Sequence, residues 1–312
     1  MPTITETVIR DQFPYWQAAL HQPMPHLGAG TIVVTGCGTS YYLAQSLACA
    51  YNAHGQRAIA VPAAEWARRP QSYLADCSDI LVLGLSRSGT TTETVQAMQI
   101  SRAKGWPTFA LSCVEGAEIL TEAAQGLYIP TDPREGIVMS VSASLMLLAG
   151  LRLVGIKMPN DLIAAARHAM AEMAMGAAAL IKGRHHFVYL GAGAQYGLAT
   201  EGSLKLQEMS ITYSQAFHPM EYRHGPISLI DDASVVVILY SPDTVDEEAK
   251  LAAEVQAKGA RVIGFGGPGD LQLHAHGLAT LPALQILGEM VALQKGINSE
   301  APRHLTKVVV LD

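Results

Sequence analysis

Residues 189–230 read YLGAGAQYGLATEGSLKLQEMSITYSQAFHPMEYRHGPISLI, and this stretch decides how the rest of the chain is interpreted. It completes an apolar strand, predicted over Phe187 to Leu190, and then turns at Gly191 and Gly193. A segment long enough for a helix follows the turn. An apolar strand, a glycine turn and a helix in this order indicate the start of an α/β unit with a parallel sheet.

The first half of the chain contains the same pattern. TIVVTGCGTSYYLAQ (31–45) matches HHFVYLGAGAQYGLA (185–199), and two later pairs also match: DILVLGLSRSGTT (79–91) with SVVVILYSPDT (234–244), and SRAKGWPTFALS (101–112) with EVQAKGARVIGF (254–265). These matches predict an α/β fold of two tandem, doubly wound parallel-sheet subdomains of the flavodoxin-like kind. We expect an N-terminal helical segment over 1–29, the subdomains over 30–155 and 156–298, and a C-terminal tail over 299–312.

Composition excludes several classes of protein. Hydrophobic residues make up 49% of the 312 residues and the net charge is −6, so the chain supports a large core and offers no basic surface for nucleic acid. The N-terminus lacks the apolar core of a signal peptide, and the apolar stretch from Ile137 to Leu151 contains three serines, which predicts a buried helix rather than a membrane span. Four cysteines without CxxC spacing favour free thiols in a reducing compartment, so we expect a cytoplasmic protein without a membrane partner.

Charged residues recur along the helix predicted after Gly193. Glu201, Lys205 and Glu208 are spaced i, i+4 and i+7, which places an ammonium between two carboxylates on one helical face. Further on, His224 lies beside a Gly-Pro turn. Carboxylates, an amine and an imidazole can transfer protons at carbon. The same residues could also form an ordinary solvated ion-pair row and a turn histidine.

A second group of polar residues follows the strand predicted over Asp79 to Leu85. Ser86, Ser88, Gly89, Thr90 and Thr91 lie where this strand ends and a helix begins. Free N–H groups at a helix N-terminus, together with hydroxyls, suit a phosphate, although a Ser/Thr-rich helix cap without a ligand is the alternative. In the second half the matching residues are Ser-Pro-Asp-Thr, followed by acids, so we expect only the first half to hold a phosphate.

Both ends of the chain carry further expectations. A helix is predicted around Thr5 to His21, and Pro302 is predicted to break the helix that precedes it. The run from Val308 to Leu311 is predicted to be a short strand-like piece. Lys307, just before it, is either a solvated charge or a lysine that reaches over a cleft.

We expect no cofactor and no metal. The histidine clusters, His185-His186 and His274-x-His276, have no acids or cysteines close to them in sequence and are interpreted as surface or core histidines. A complete G-x-G-x-x-G is absent from the first glycine turn, which disfavours nicotinamide binding.

Taken together, five segments resemble the sugar isomerase (SIS) family, and within it the isomerase half of glucosamine-6-phosphate synthase and its stand-alone relatives. The segments are CGTS (37–40), SRSGTT (86–91), EGSLKLQE (201–208), RHGPISLI (223–230) and PRHLTK (302–307). They occur in the family's order and cover nearly the whole chain.

The resemblance implies a role for each matching residue. Glu208 corresponds to the base that moves a proton between C1 and C2, His224 to the histidine that opens the sugar ring from the neighbouring subunit of a homodimer, and Lys307 to a lysine that forms a Schiff base. The sugar-phosphate pocket is implied to contain Ser40, Ser86, Arg87, Ser88, Thr91 and Ser140, with Gly38, Thr39, Glu201 and Lys205 in support.

The chain also departs from the family pattern. Arg87 replaces a glutamine, which we expect to add positive charge near the phosphate, and Ser140-Val141-Ser142 stands where the synthase has Ser-Thr-Lys. The glutaminase half and its N-terminal cysteine are not expected here, since this sequence begins Met1-Pro2. We therefore expect no glutamine-driven synthesis from this polypeptide alone.

The resulting expectation is an enzyme that converts glucosamine 6-phosphate and water to fructose 6-phosphate and ammonia. A galactosamine-6-phosphate deaminase/isomerase and a fructosamine-6-phosphate deglycase share the same motifs and remain alternatives. A non-catalytic sugar-phosphate sensor is the third reading. It is disfavoured because the roughly 30 residues before the first strand are too few for a helix-turn-helix domain.

Overall fold

A computed structural model describes residues 2–28 and 30–309. The chain forms two compact units. The N-terminal unit consists of Asp11–Met158 and the tail from Thr306 onward, and the C-terminal unit consists of Pro159–Leu305 and the start of the chain up to Arg10. The four segments expected from the sequence, and the boundaries between them, remain predictions.

Ten strands in the described residues form two five-stranded sheets with parallel pairing throughout. In chain order they are β1 Thr31–Gly36, β2 Ala58–Pro62, β3 Ile80–Ser86, β4 Thr108–Ser112, β5 Gln125–Tyr128, β6 His186–Gly191, β7 Ser214–Phe217, β8 Ser234–Leu239, β9 Arg261–Phe265 and β10 Leu271–Leu273. The sheet orders are β2-β1-β3-β4-β5 and β7-β6-β8-β9-β10. Both are the flavodoxin-like order 2-1-3-4-5, which confirms the predicted fold class.

Thirteen α-helices connect or flank the strands in the described residues. They are α1 Ile4–Arg10, α2 Phe13–His21, α3 Thr39–Ala53, α4 Ala63–Arg68, α5 Thr92–Ala103, α6 Glu118–Glu122, α7 Val141–Leu153, α8 Leu162–Gly176, α9 Ala178–Ile181, α10 Ala194–Ser210, α11 Pro219–Tyr222, α12 Val245–Ala257 and α13 Leu281–Gln294. None of these helices combines the length and the apolar character needed to cross a bilayer.

Two expectations about helix ends were wrong. The predicted helix from Thr5 to His21 is two helices, since α1 ends at Arg10 and α2 begins at Phe13. Pro14 explains the break, because a proline inside a continuous helix lacks an N–H and its ring clashes with the carbonyl four residues earlier, here that of Arg10. At the other end, α13 stops well before Pro302, and Gly296 at φ +65° ends it as a left-handed glycine cap.

The strand-like piece predicted near the C-terminus is also absent from residues 308 and 309. Val308 and Val309 are not in a strand, and residues 310 and 311 lie outside the described residues.

The helices cover both faces of each sheet. In the N-terminal unit, α3 and α7 pack together to form one layer. In the other layer α4 and α6 both pack on α5, and the core of this layer includes Trp66, Met98 and Ile119. In the C-terminal unit, α10, α13 and α8 form one layer, and α11 packs on α12. The helix predicted over Ile137 to Leu151 is observed as the buried helix α7.

An ion-pair row lies inside the C-terminal unit on α10. The Lys205 ammonium Nζ is 3.4 Å from Glu201 Oε1 and 2.5 Å from Glu208 Oε2. The Lys205 side chain is 1% exposed and that of Glu201 0%, whereas that of Glu208 is 20% exposed. A solvated surface row is therefore excluded, and the ammonium compensates charge in the packed layer formed by α10 and α13.

Replacing Lys205 with methionine should lower the free energy of unfolding by about 3–5 kcal/mol, because a buried carboxylate loses its compensating charge. The matched control is Lys258→Met, which removes a lysine from an exposed pair with Glu254 at 4.0 Å and should cost at most about 1 kcal/mol. Urea unfolding of both variants measures the difference. Equal losses in the two variants would contradict the assignment of a buried ion-pair row.

Candidate active site

In the N-terminal unit, the first polar turn lies at the carboxyl end of β1. Gly38 has φ +53° and ψ −126°, a conformation that L-residues with a side chain rarely adopt. Gly36 also requires glycine, because a Cβ there would lie 2.6 Å from the Ser40 Cβ. The two glycines allow α3 to begin directly at the strand end, with Thr39 and Ser40 buried in its first turn.

The second polar turn lies at the carboxyl end of β3, which is the neighbour of β1 in the sheet. The Ser86 hydroxyl accepts the N–H of Gly89 at 3.0 Å, and the Ser88 hydroxyl accepts the N–H of Thr90 at 3.3 Å. Gly89 has φ +68°, and a Cβ there would lie 2.3 Å from the Ala117 Cβ. Thr91 is the cap of α5.

These two turns lie where an open α/β sheet commonly binds a ligand. The chain runs from β1 to β2 on one side of the sheet and from β3 to β4 on the other side, so the direction of the connections reverses between β1 and β3. Ligands bind preferentially outside the carboxyl ends of the strands at such a switch point. The structure therefore brings Ser40 and the loop Ser86–Thr91, predicted separately from the sequence, to one edge of the same sheet.

The sequence led us to expect that Arg87 adds positive charge near the phosphate, but in the structure its side chain binds backbone carbonyls. Its guanidinium donates hydrogen bonds to the carbonyl oxygens of Gly136 and Ile137, both at 3.0 Å, and of Lys307 at 2.8 Å. The side chain is 8% exposed and lies 3.9 Å from the Glu135 carboxylate. Contact between Arg87 and a phosphate remains a prediction.

Glu135 is a residue that the sequence analysis missed. Its Oε1 accepts the N–H of Ser140 at 2.7 Å, the N–H of Ser142 at 3.0 Å and the Ser140 hydroxyl at 3.1 Å. The carboxylate thus binds the amino end of α7, where free N–H groups and the helix dipole favour a negative charge. The available signal in the sequence was an acid a few residues before the predicted buried helix. In the structure this acid, Glu135, holds Ser140 in place at the turn.

Lys307 lies in the tail that belongs to the N-terminal unit. Its side chain is exposed, and Nζ donates a hydrogen bond to the backbone carbonyl of Glu135 at 2.9 Å. The tail lysine and the turn before Ser140 are therefore in direct contact.

In the C-terminal unit, Glu208 and His224 occupy different settings. Glu208 is near the end of α10, held by Lys205, with part of its side chain exposed. His224 follows α11 in a turn closed by its own N–H to the Glu221 carbonyl at 3.0 Å, and it is exposed. Its neighbour Gly225 has φ +128°, so this turn depends on glycine.

The turn of the C-terminal unit that matches Ser86–Thr91 contains an internal anion. The Glu248 carboxylate, 1% exposed, accepts the N–H of Ser241 at 2.8 Å and the hydroxyl of Thr244 at 3.0 Å. Burial raises the pKa of Glu248, while these two hydrogen bonds oppose the rise. A side-chain carboxylate takes the donors that a bound anion would use, which supports the expectation that only the first half holds a phosphate.

Within residues 2–28 and 30–309, no group of three or more His, Cys, Asp and Glu side chains is placed to hold a metal ion.

The sequence is similar to larger enzymes. It is 28% identical over 318 residues to glutamine–fructose-6-phosphate aminotransferase (isomerizing) of Pyrobaculum aerophilum, with 92% of this chain and 52% of the relative covered. The enzyme of the same name from Halobacterium salinarum is 28% identical over 316 residues, with 89% and 51% covered. The chain therefore spans about half the length of these curated relatives.

Solved structures of similar length share the whole fold. Glucosamine-6-phosphate deaminase from Thermotoga maritima matches with a TM-score of 0.88 and 27% identity, covering 99% of this chain and all of that one. Tagatose-6-phosphate ketose/aldose isomerase from Escherichia coli matches with a TM-score of 0.81 and 21% identity, covering 99% and 96% of the two chains, and shows the fold alone.

The family model of the SIS domain matches residues 27–153 and 180–281, which together are more than half of the chain. This match confirms the resemblance inferred from the five motifs. The protein belongs to the SIS-domain family, and it is similar to sugar-phosphate isomerases of that family.

Proposed function

We propose that this protein is an aminosugar-phosphate deaminase that isomerises and hydrolyses glucosamine 6-phosphate to fructose 6-phosphate and ammonia. The observation that carries the proposal is the row on α10, in which Glu208 is the partly exposed carboxylate of an otherwise buried ion-pair row. A base for proton transfer at carbon needs access to substrate and a surrounding that fixes its direction.

The similar proteins support this choice of reaction. The Thermotoga maritima protein, a glucosamine-6-phosphate deaminase, covers the same length as this chain. The aminotransferases are about twice as long, and only about half of each corresponds to this chain.

Phosphate binding is assigned to the N-terminal unit. The hydroxyls of Ser86, Ser88 and Thr91 and the N–H groups at the start of α5 supply donors for an anion, with Ser40 on the neighbouring turn and Ser140 at the start of α7. A phosphate held away from the reacting carbons contributes binding energy that positions them against the base.

Proton transfer is assigned to His224 and Glu208. His224 of one protomer of a homodimer opens the sugar ring bound by the other, moving a proton between O5 and O1. Glu208 then removes the proton from C2 and returns it to C1, while O1 gains a proton and the C2 amine loses one. The C1 aldehyde thereby becomes a hydroxyl and the C2 amine becomes the imine of fructose 6-phosphate. Lys205 holds one oxygen of Glu208, so the other oxygen is the one we assign to the substrate.

Release of ammonia completes the reaction. Either water adds to the C2 imine and expels ammonia, or the Lys307 amine does so and water then hydrolyses the resulting Schiff base. In both routes the water oxygen becomes the C2 carbonyl oxygen of fructose 6-phosphate. The proposal places this reaction in the cytoplasm, without a cofactor, metal, membrane or nucleic acid.

The direct experiment is a panel of glucosamine 6-phosphate, galactosamine 6-phosphate and fructosamine 6-phosphates, with released ammonia and ketose phosphate measured for each. Ammonia and fructose 6-phosphate from glucosamine 6-phosphate alone support the proposed substrate. Preferential turnover of another member would identify one of the related reactions instead. Binding without turnover of any of them would indicate a sugar-phosphate sensor.

Substituting Glu208 with glutamine should lower kcat at least about a hundredfold, because the amide cannot accept the C2 proton. Binding of fructose 6-phosphate, measured by calorimetry, should stay within about threefold because the phosphate donors are unchanged. The control is Glu254→Gln, a partly exposed carboxylate of the same unit, which should leave kcat unchanged. Normal turnover in E208Q would remove Glu208 from the role of base.

Borohydride added with fructose 6-phosphate should attach the reduced sugar covalently to Lys307, because hydride reduces a Schiff base to a stable amine. Peptide mass spectrometry locates the adduct, and Lys307→Met should abolish it. Absence of an adduct in the wild-type protein would restrict Lys307 to an electrostatic role and leave water as the only route of ammonia release.

A further inference from the structure

Three segments of the N-terminal unit that carry predicted site residues meet at the Arg87 guanidinium. Arg87 itself belongs to the loop proposed to bind phosphate, its Nη1 donates to the carbonyls of Gly136 and Ile137, and its Nη2 donates to the carbonyl of Lys307. The second segment leads to Ser140 at the start of α7, and the third is the tail. One side chain therefore connects all three.

This arrangement is built into the protein interior. Arg87 is 8% exposed, and the Glu135 carboxylate beside it is 2% exposed, so the two opposite charges compensate each other away from water. The planar guanidinium presents several N–H donors in a fixed geometry, which lets one residue bond to carbonyls of two segments at once. An ammonium is a compact charge on a flexible stem and lacks this geometry.

The tail is attached at two points to the same cluster. The backbone carbonyl of Lys307 accepts from Arg87 at 2.8 Å, and the Lys307 amine donates to the backbone carbonyl of Glu135 at 2.9 Å. Glu135 in turn binds the Ser140 N–H through its carboxylate at 2.7 Å. Position and direction of the Lys307 side chain thus depend on Arg87 and Glu135.

We propose that Arg87 is a positioning residue that fixes the tail lysine beside the phosphate loop, rather than a ligand of the phosphate. The consequence of this positioning for Schiff-base formation rests on the function proposed above. The attachment of the tail does not, and it is measurable without any substrate.

Limited trypsin digestion tests the attachment. Trypsin cleaves after lysine and arginine, so Arg87→Lys leaves the set of cleavage sites unchanged while removing the guanidinium. Cleavage after Lys307, followed as loss of residues 308–312 in intact-protein mass spectra, should be at least about tenfold faster in R87K, the effect expected from losing a charge-assisted hydrogen bond. A rate within about twofold of wild type would overturn the proposal.

Arg102→Lys is the matched control. Arg102 is an exposed residue of the same unit that donates to the carbonyl of Glu122 at 2.9 Å. R102K should cleave after Lys307 at the wild-type rate. Acceleration equal to that of R87K would show general loosening of the unit and would also overturn the proposal.

A further digestion experiment uses the wild-type protein alone, so its result does not depend on whether R87K folds. Digestion is repeated with saturating inorganic phosphate. If Arg87 positions the tail, cleavage after Lys307 stays the same or slows. If Arg87 is a phosphate ligand, its guanidinium turns to the anion, the bond to the Lys307 carbonyl is lost and cleavage accelerates, which would refute the proposal.

Schiff-base trapping links the attachment to function. With fructose 6-phosphate and borohydride, R87K should form the Lys307 adduct at least about tenfold more slowly, while KM for glucosamine 6-phosphate changes less than about threefold. A large rise in KM with an unchanged trapping rate would point to phosphate binding by Arg87. If the wild-type protein neither releases ammonia nor forms an adduct, the proposed function fails, and the trypsin results still decide whether Arg87 holds the tail.

Discussion

Parallel strands connected by helices impose the constraint on which each unit depends. Two adjacent parallel strands are joined by a crossover, and such crossovers are right-handed. When the connections that leave two adjacent central strands run in opposite directions along the sheet, the helices that follow these strands therefore lie on opposite faces. β1 and β3 stand in this relation in the first sheet, and β6 and β8 in the second. The turns after these strands meet at one sheet edge, where helix N-termini provide N–H donors.

The two units use this common geometry differently. At the ends of β1 and β3, hydroxyls and glycine turns leave helix N-termini with donors suited to an anion. At the corresponding turn after β8, the Glu248 carboxylate accepts the N–H of Ser241 and the hydroxyl of Thr244. The turn after β8 therefore has an internal anion, whereas an external anion is proposed for the turns after β1 and β3. Similar strand order therefore does not imply similar binding.

Buried charge organises the residues beyond these turns. In the C-terminal unit, the Lys205 ammonium compensates the charge of the buried Glu201 carboxylate. The same ammonium also contacts Glu208 and fixes the orientation of this partly exposed carboxylate. In the N-terminal unit, Arg87 and Glu135 form the buried pair, and their polar atoms hold the tail and the start of α7. Such pairs are costly to separate, because each partner would leave an uncompensated charge in the interior. Both pairs thus fix the positions of neighbouring side chains at a sheet edge or helix end.

The sequence by itself determined the α/β class, the inner strands β1, β3, β4, β6, β8 and β9 and the motif residues, because hydrophobic period and glycine turns act locally. It did not locate the edge strands β2, β5, β7 and β10. The spacing of Glu201, Lys205 and Glu208 likewise determined their contact, since residues on one helical face meet regardless of the remaining fold. Local patterns did not decide how deeply that row is buried, since burial depends on the packing of α13 against α10. Nor could they reveal Glu135 or the true partners of Arg87, whose contacts join residues separated by as many as 220 positions along the chain. Only the tertiary structure brings such distant segments together, and for that reason it alone decided which charges are compensated and what holds the tail.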